Sequence, residues 1–131
     1  MGHELSREVK NFLNQHINSV LQLEALLLLR ANRDQAWDIE AVSKELSVDT
    51  DVARLHLNEL VRGGLLILTK EDTMRYCYKP SNSQIDTLVS KMGAAYATHR
   101  VAVISRIFAK PVDRVRLFKE TFRLIKGDKV E

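Results

Sequence analysis

Apolar residues return at helical spacing over most of this chain. Val9, Phe12, Leu13 and Ile17 fall on one side of a segment that Ser6 can cap and that runs to about Ile17. Ser19-Val20-Leu21-Gln22 then has capping-box spacing. In that box the serine hydroxyl accepts an amide proton three residues on, and the glutamine side chain reaches back. The helix it opens, 20–30, is apolar on nearly every side, which predicts a central buried helix. Asp38 can cap a third helix, on which Ile39, Val42 and Leu46 recur at helical intervals. After a short break at Ser47-Val48-Asp49, a fourth helix starts near Thr50 and carries Val52, Leu57, Leu60 and Val61. It stops at Gly63-Gly64, where left-handed backbone angles cost least.

The period then changes to two. Segments 65–69 and 74–79 read as strands, with Glu71-Asp72-Thr73 as the turn between them. Tyr76 and Tyr78 alternate with Cys77 as in a half-buried strand, and Pro80 ends the hairpin. Ser81-Asn82-Ser83-Gln84 matches a second capping box and opens one long helix over 82–109. Its broad apolar face holds Ile85, Leu88, Val89, Met92, Ala95, Tyr96 and Val103. Lys110-Pro111 should end it, because proline cannot continue the hydrogen-bond ladder. A last helix is expected from about Asp113 to Lys126, with Gly127 as its stop. The class is mostly α with one short β-hairpin, and residues 1–131 are expected to form a single domain without repeats or linkers.

Composition narrows this further. Five glycines and two prolines are too few for a many-stranded sandwich or barrel. A single cysteine, Cys77, excludes an internal disulfide and fits a reducing compartment. The start of the chain has no apolar signal core, and the longest aliphatic run, at 25–29, is far short of a membrane span. A cytoplasmic protein without membrane contact is therefore expected. The total charge of +3 says little until the chain is split at Gly63. Residues 1–63 carry seven basic and ten acidic side chains; residues 64–131 carry thirteen and seven. The halves have opposite sign, which bears on what each can bind.

The order helix, helix, short turn, helix, hairpin carries a family signature. The leucine-rich helix, Trp37-Asp38-Ile39-Glu40-Ala41-Val42-Ser43-Lys44-Glu45-Leu46, the turn, Leu57-Asn58-Glu59-Leu60-Val61-Arg62-Gly63-Gly64-Leu65-Leu66 and a hairpin ending in Arg75-Tyr76-Cys77-Tyr78 follow in sequence. This stretch resembles the winged helix-turn-helix of small bacterial regulators of the MarR-like and ArsR-like kind. The resemblance covers a core at 19–80, with a helical extension at 1–18 and another at 81–131. It implies a DNA-binding transcriptional regulator, with the helix near 50–62 in the major groove and the hairpin 65–79 as a wing. The implied DNA contacts are Thr50, Arg54, Asn58 and Arg62 on the helix and Lys70, Arg75 and Lys79 on the wing. Arg54 can fork onto guanine and Asn58 can pair with adenine. The resemblance also implies a homodimer through the long helix, with Leu88, Met92, Tyr96, Val103 and Ile107 as interface candidates; their alternative is packing on the chain's own N-terminal helix. The two recognition helices of such a dimer would meet half-sites about 34 Å apart.

Charge placement complicates that reading. Asp49, Asp51 and Glu59 flank or sit on the same helix as Arg54 and Arg62. Carboxylates facing phosphate oppose binding; Asp49 or Asp51 can instead cap the helix and point away. Arg116, Lys119, Arg123 and Lys126 form a narrow basic stripe on the last expected helix, opposite Phe118, Phe122 and Ile125. The preferred reading is a helix docked by its apolar side with a solvated basic side; the sharper ones are a DNA-backbone contact, a dimer helix or a surface for an acidic protein partner. The competing function is thus a winged-helix interaction module that binds no DNA.

Enzyme signatures do not emerge. His3, His16, His56 and His99 lack metal-ligand spacing, and the chain has no phosphate loop or nucleophile elbow. No catalytic residue, metal or cofactor is expected. Arg75 and Lys79 share a strand face with Cys77, which favours thiolate, but a half-buried structural thiol is the preferred reading. Trp37 reads as a staple onto the core.

Overall fold

A computed structural model of the chain describes residues 5–70 and 73–109. Helix α1 spans Arg7–His16, α2 Val20–Ala31, α3 Ile39–Leu46 and α4 Thr50–Arg62. Strands β1 (Leu66–Lys70) and β2 (Met74–Tyr78) follow, then α5 (Ser83–Thr98) and α6 (Arg100–Ala109). This order, with α3 and α4 joined by a short turn and the hairpin after them, is a winged helix-turn-helix with helices added at both ends.

Local chemistry sets the first three helix starts. Ser6 Oγ accepts from the N–H of Val9 at 3.2 Å, Ser19 Oγ from Gln22 at 3.0 Å and Asp38 Oδ1 from Ala41 at 2.8 Å. Each satisfies an amide that the helix leaves without an internal acceptor. Between α3 and α4, Ser47 adopts a left-handed conformation (φ 59°), and the Ser43 hydroxyl donates to the Val48 carbonyl. Asp49 occupies the cap position of α4, but its side chain makes no cap hydrogen bond. The other end of α4 closes through Gly64 at φ 82°. The Gly64 N–H meets Val61 O at 3.0 Å and the Leu65 N–H meets Leu60 O at 3.0 Å, a paired stop that a left-handed glycine permits. Leu65, fully buried, is thereby used in ending the helix. β1 accordingly begins one residue later than the expected 65–69, and β2 ends at Tyr78 rather than at residue 79.

The strands pair antiparallel, Leu66 opposite Tyr78, Leu68 opposite Tyr76 and Lys70 opposite Met74. Trp37 adds a third piece of sheet that periodicity does not reveal. Its N–H donates to Tyr76 O at 2.8 Å and its carbonyl accepts from Tyr76 N–H at 2.7 Å. Its side chain is buried, as a staple onto the core requires.

The expected long helix is two helices. α5 ends where the His99 N–H bonds Ala95 O at 2.6 Å, and α6 begins where Val103 N–H bonds His99 O at 3.1 Å. Thr98 Oγ1 donates back to Ala94 O at 2.9 Å, a bond of the kind that bends helices. The bend returns α6 to α1, so that Val103 and Ile107 are buried with Phe12 and Leu13 in one core. The start of α5 is also corrected. Asn82, not Ser81, is the cap, its Oδ1 accepting from Ile85 at 3.0 Å. Ser81 is diverted to Gly64, whose carbonyl accepts from both the Ser81 hydroxyl and its N–H.

That core is continuous from Val9 of α1 through Leu23, Leu26 and Leu29 of α2, Leu57 and Leu60 of α4, the wing tyrosines, and Val89 and Met92 of α5. No helix among the described residues is long and apolar enough to cross a membrane.

Candidate nucleic-acid interface

α4 has an inner row of Ala53, Leu57 and Leu60. Its outer surface carries exposed Asp51, Arg54 and Arg62, with Thr50, Asn58 and Glu59 half-buried. The two carboxylates on this helix differ in kind. Glu59 Oε1 accepts from Gln22 Nε2 at 2.8 Å and from Asn18 Nδ2 at 3.2 Å. Gln22 is the buried polar residue of the described core. It also donates to His56 O at 3.2 Å and accepts the Asn18 N–H at 2.7 Å, one residue further back than a capping box requires. Glu59 thus holds α4 on the start of α2, which removes it from the charges that would confront a ligand. Asp51 faces outward and pairs with Arg54 Nη1 at 3.1 Å.

Asn58 bridges helix and wing: its Oδ1 accepts the Tyr76 hydroxyl at 2.7 Å. Burial raises the Tyr76 pKa, and the nearby Arg54 charge pulls against that rise. Arg54, Asn58 and Tyr76 therefore form one group where the helix meets the wing. The second lone pair of Asn58 Oδ1 and its amide N–H groups stay chemically suited to an adenine edge while the tyrosine is bound. Arg62 lies apart, lining a polar depression with Gln15, His16, Asn18 and Glu59.

The wing cations divide between its faces. Strand alternation puts Lys70 on the face of Leu68 and Tyr76, at the tip opposite Met74. Arg75 and the residue beyond the strand, Lys79, fall on the other face with Ile67 and half-buried Cys77. All three cations are exposed. A single surface holding Arg54, Asn58, Lys70 and Arg75 is thus not what the hairpin builds: Arg75 points away from the face that meets α4.

The root of the wing is fastened separately. Tyr78 Oη donates to Asp86 Oδ1 at 2.6 Å, Arg33 reaches the same oxygen at 3.2 Å, and Arg30 Nε stands 3.6 Å from it. The Arg33 guanidinium lies 5.0 Å from the Tyr78 ring centroid. Burial first, then Asp86, pushes the Tyr78 pKa up to about 12. The Tyr78 hydrogen bond first, then the arginine charges, holds the Asp86 carboxyl below its usual range. Tyr76, Asp86 and Gln22 are the fastening residues that sequence reasoning missed. The signal for Tyr76 and Tyr78 was their shared strand parity, since two inward hydroxyls need two partners.

The expected dimer residues divide by burial. Met92 and Val103 are fully buried, and Tyr96 and Ile107 nearly so, all within the chain's own core. α1 packs on α5 and α6, which is the alternative that the sequence left open for these residues. Leu88 is half-buried and lines an open groove between α1 and α5, which the Glu8–Lys91 ion pair borders at 2.8 Å. The large apolar residues that α6 leaves exposed are Val101 and Phe108, each 77% accessible. Arg116, Lys119, Arg123 and Lys126 lie outside the described residues. Among the described residues, no cluster of three or more His, Cys, Asp or Glu side chains could hold a metal.

No protein-family model matches the sequence, and no curated protein matches it. Among solved structures, the chain is similar to the homodimeric winged helix-turn-helix DNA-binding domain of a possible ArsR-family transcriptional regulator from Mycobacterium bovis. The two are 20% identical, the match covers 72% of this chain and 89% of that one, and the TM-score is 0.45. So remote a likeness decides nothing about what this chain binds. Its own element order and register make it a winged helix-turn-helix protein, with the outward surface of α4 around Arg54 exposed and the wing fastened beside it.

Proposed function

We propose that this protein is a transcriptional regulator that binds double-stranded DNA, with α4 in the major groove and the β1–β2 hairpin against the backbone. One observation carries the reading. The outward surface of α4 around Arg54 is uncovered and fastened to the wing through Asn58 and Tyr76, so helix and hairpin can meet one duplex together. Thr50 and Arg54 are the proposed base-reading residues, with Asn58 positioned beside them. Lys70 at the wing tip is the proposed backbone contact on the α4 side, while Arg75, Lys79 and Arg62 serve phosphates further out. The inward turn of Glu59 supports the reading, because it takes one of the three suspect carboxylates out of contention.

A homodimer remains part of the proposal, on a different surface. With Met92, Tyr96, Val103 and Ile107 committed to the core, the apolar row of Val101 and Phe108 on α6 is the face offered to a second copy. Symmetric pairing through one helix repeats the same patch on both subunits.

The test is a fluorescence-anisotropy titration of the full chain with duplex DNA at several salt concentrations. Binding through phosphates predicts that log affinity falls linearly with log salt, by about 0.9 per phosphate contacted. Absence of association in low salt overturns the proposal.

A further inference from the structure

We infer that Asp51, rather than merely weakening DNA binding, sets its selectivity by holding Arg54 in a compensated, oriented pose. This rests on the DNA-binding reading above. Asp51 and Arg54 are three residues apart in the first turns of α4, where their side chains share a face. The carboxylate meets Arg54 Nη1 at 3.1 Å, and both groups stay open, with 80% of the Asp51 and 45% of the Arg54 side chain accessible. Asp49 occupies the cap position of α4 without a side-chain cap bond, and Asp51 lies in the first turn, where its charge suits the helix dipole. Its hydrogen bond is made to Arg54 alone among the described contacts.

The consequence follows from what each DNA group offers. A phosphate brings only negative charge and acceptors, so a carboxylate beside the guanidinium opposes its approach at every sequence alike. A base edge is different. Guanine presents two acceptors, O6 and N7, to the donors Arg54 keeps free, while cytosine N4 or adenine N6 presents a donor to Asp51. The pair is therefore complementary to a guanine next to an amino-bearing base and repels a neighbour that shows only an acceptor. Orientation adds to this, because a guanidinium already held by Asp51 loses less rotamer freedom on binding.

The test begins by selecting a preferred duplex from a random library with the full-length wild-type chain. Affinities for the selected and a scrambled duplex are then measured by anisotropy for wild type, Asp51→Ala, Asp51→Asn and Asp51→Glu. Loss of the carboxylate should strengthen binding to the scrambled duplex severalfold and lower the selected-to-scrambled ratio about tenfold, the scale of one base contact. The salt slope on scrambled DNA should steepen by about one unit as Arg54 turns to a phosphate. Repeating the selection with Asp51→Asn should relax one position and keep the adjacent guanine, and Asp51→Glu should restore much of the ratio. The near-isosteric asparagine variant keeps the test sound if alanine harms the fold. An unchanged ratio and slope in both neutral variants, with wild type still binding, overturns the role of Asp51 and spares the DNA reading. A wild-type chain that binds no duplex overturns both.

Discussion

α4 and α6 are both amphipathic helices that bury one row of aliphatic side chains, yet their outer rows have opposite chemistry. α4 buries Ala53, Leu57 and Leu60 and shows Asp51, Arg54 and Arg62. α6 buries Val103 and Ile107 and shows Val101 and Phe108. Exposed apolar side chains scattered singly are ordinary, but two large ones on one helix leave surface that a protein can cover. Exposed guanidinium groups beside a wing suit a polyanion. Under the proposed function the difference separates two jobs, with α4 meeting nucleic acid and the exposed row of α6 meeting a second copy. It also shows why residue type along the sequence was a poor guide to which apolar faces stay open. The most apolar positions of the α5–α6 region are buried in the same chain, and only the residues left over are available to another.

The largest effect should come from confusing the two rows. Met92→Ala removes a fully buried side chain and should cost about 2–5 kcal/mol of chain stability, read by chemical denaturation. If it instead leaves stability unchanged and shifts only the oligomeric state, Met92 is an interface residue and the comparison fails. Next comes the outer row. Val101→Glu combined with Phe108→Glu should leave helicity intact and weaken self-association by roughly thirtyfold or more, the scale of one interface hot spot. Sedimentation velocity reads this directly, and unaltered sedimentation breaks the assignment of α6 to a second copy.

The smallest effect sharpens the fastening of the wing. The folded-state pKa of Tyr78 is raised to about 12 from 10.0, so its contribution to stability is complete below pH 10 and is lost as pH rises from 10 toward 12. Tyr78→Phe should be less stable at neutral pH, because Asp86 loses its tyrosine donor and keeps only the arginines. It should also show a flatter decline over the alkaline window. Parallel decline in both proteins, followed by tyrosinate absorbance and circular dichroism, sinks the account of the Tyr78–Asp86 bond.

Parts of the candidate site were legible in the sequence. Thr50 to Arg62 as one helix followed from the apolar spacing of Val52, Leu57, Leu60 and Val61 and from the paired glycines after it. Arg54 stood outward because it fell between those positions. The rest depended on neighbours distant in sequence. Glu59 and Asp51 look alike as acids on one helix, but only Glu59 lies where Asn18 and Gln22 of another segment reach it. Asn58 looks like a free amide until the hairpin brings Tyr76 to it. Arg75 and Lys70 look like equivalent wing cations, and strand parity puts them on opposite faces.

By itself the sequence determined the local events: the caps at Ser6, Ser19 and Asp38, the stop at Gly64, and the change of period from helix to hairpin. These involve bonds between residues a few positions apart, so the types and their spacing suffice. Tertiary structure alone decided the break at His99, the pairing of Trp37 with Tyr76 and the cover that α1 lays over α5 and α6. In each case the chain could satisfy its local preferences in more than one way. A straight helix through His99 is acceptable to its own residues, and it gives way because the bend lets Val103 and Ile107 leave water against α1. The same burial left Val101 and Phe108 outside, and so decided which apolar side chains of α6 stay in contact with water.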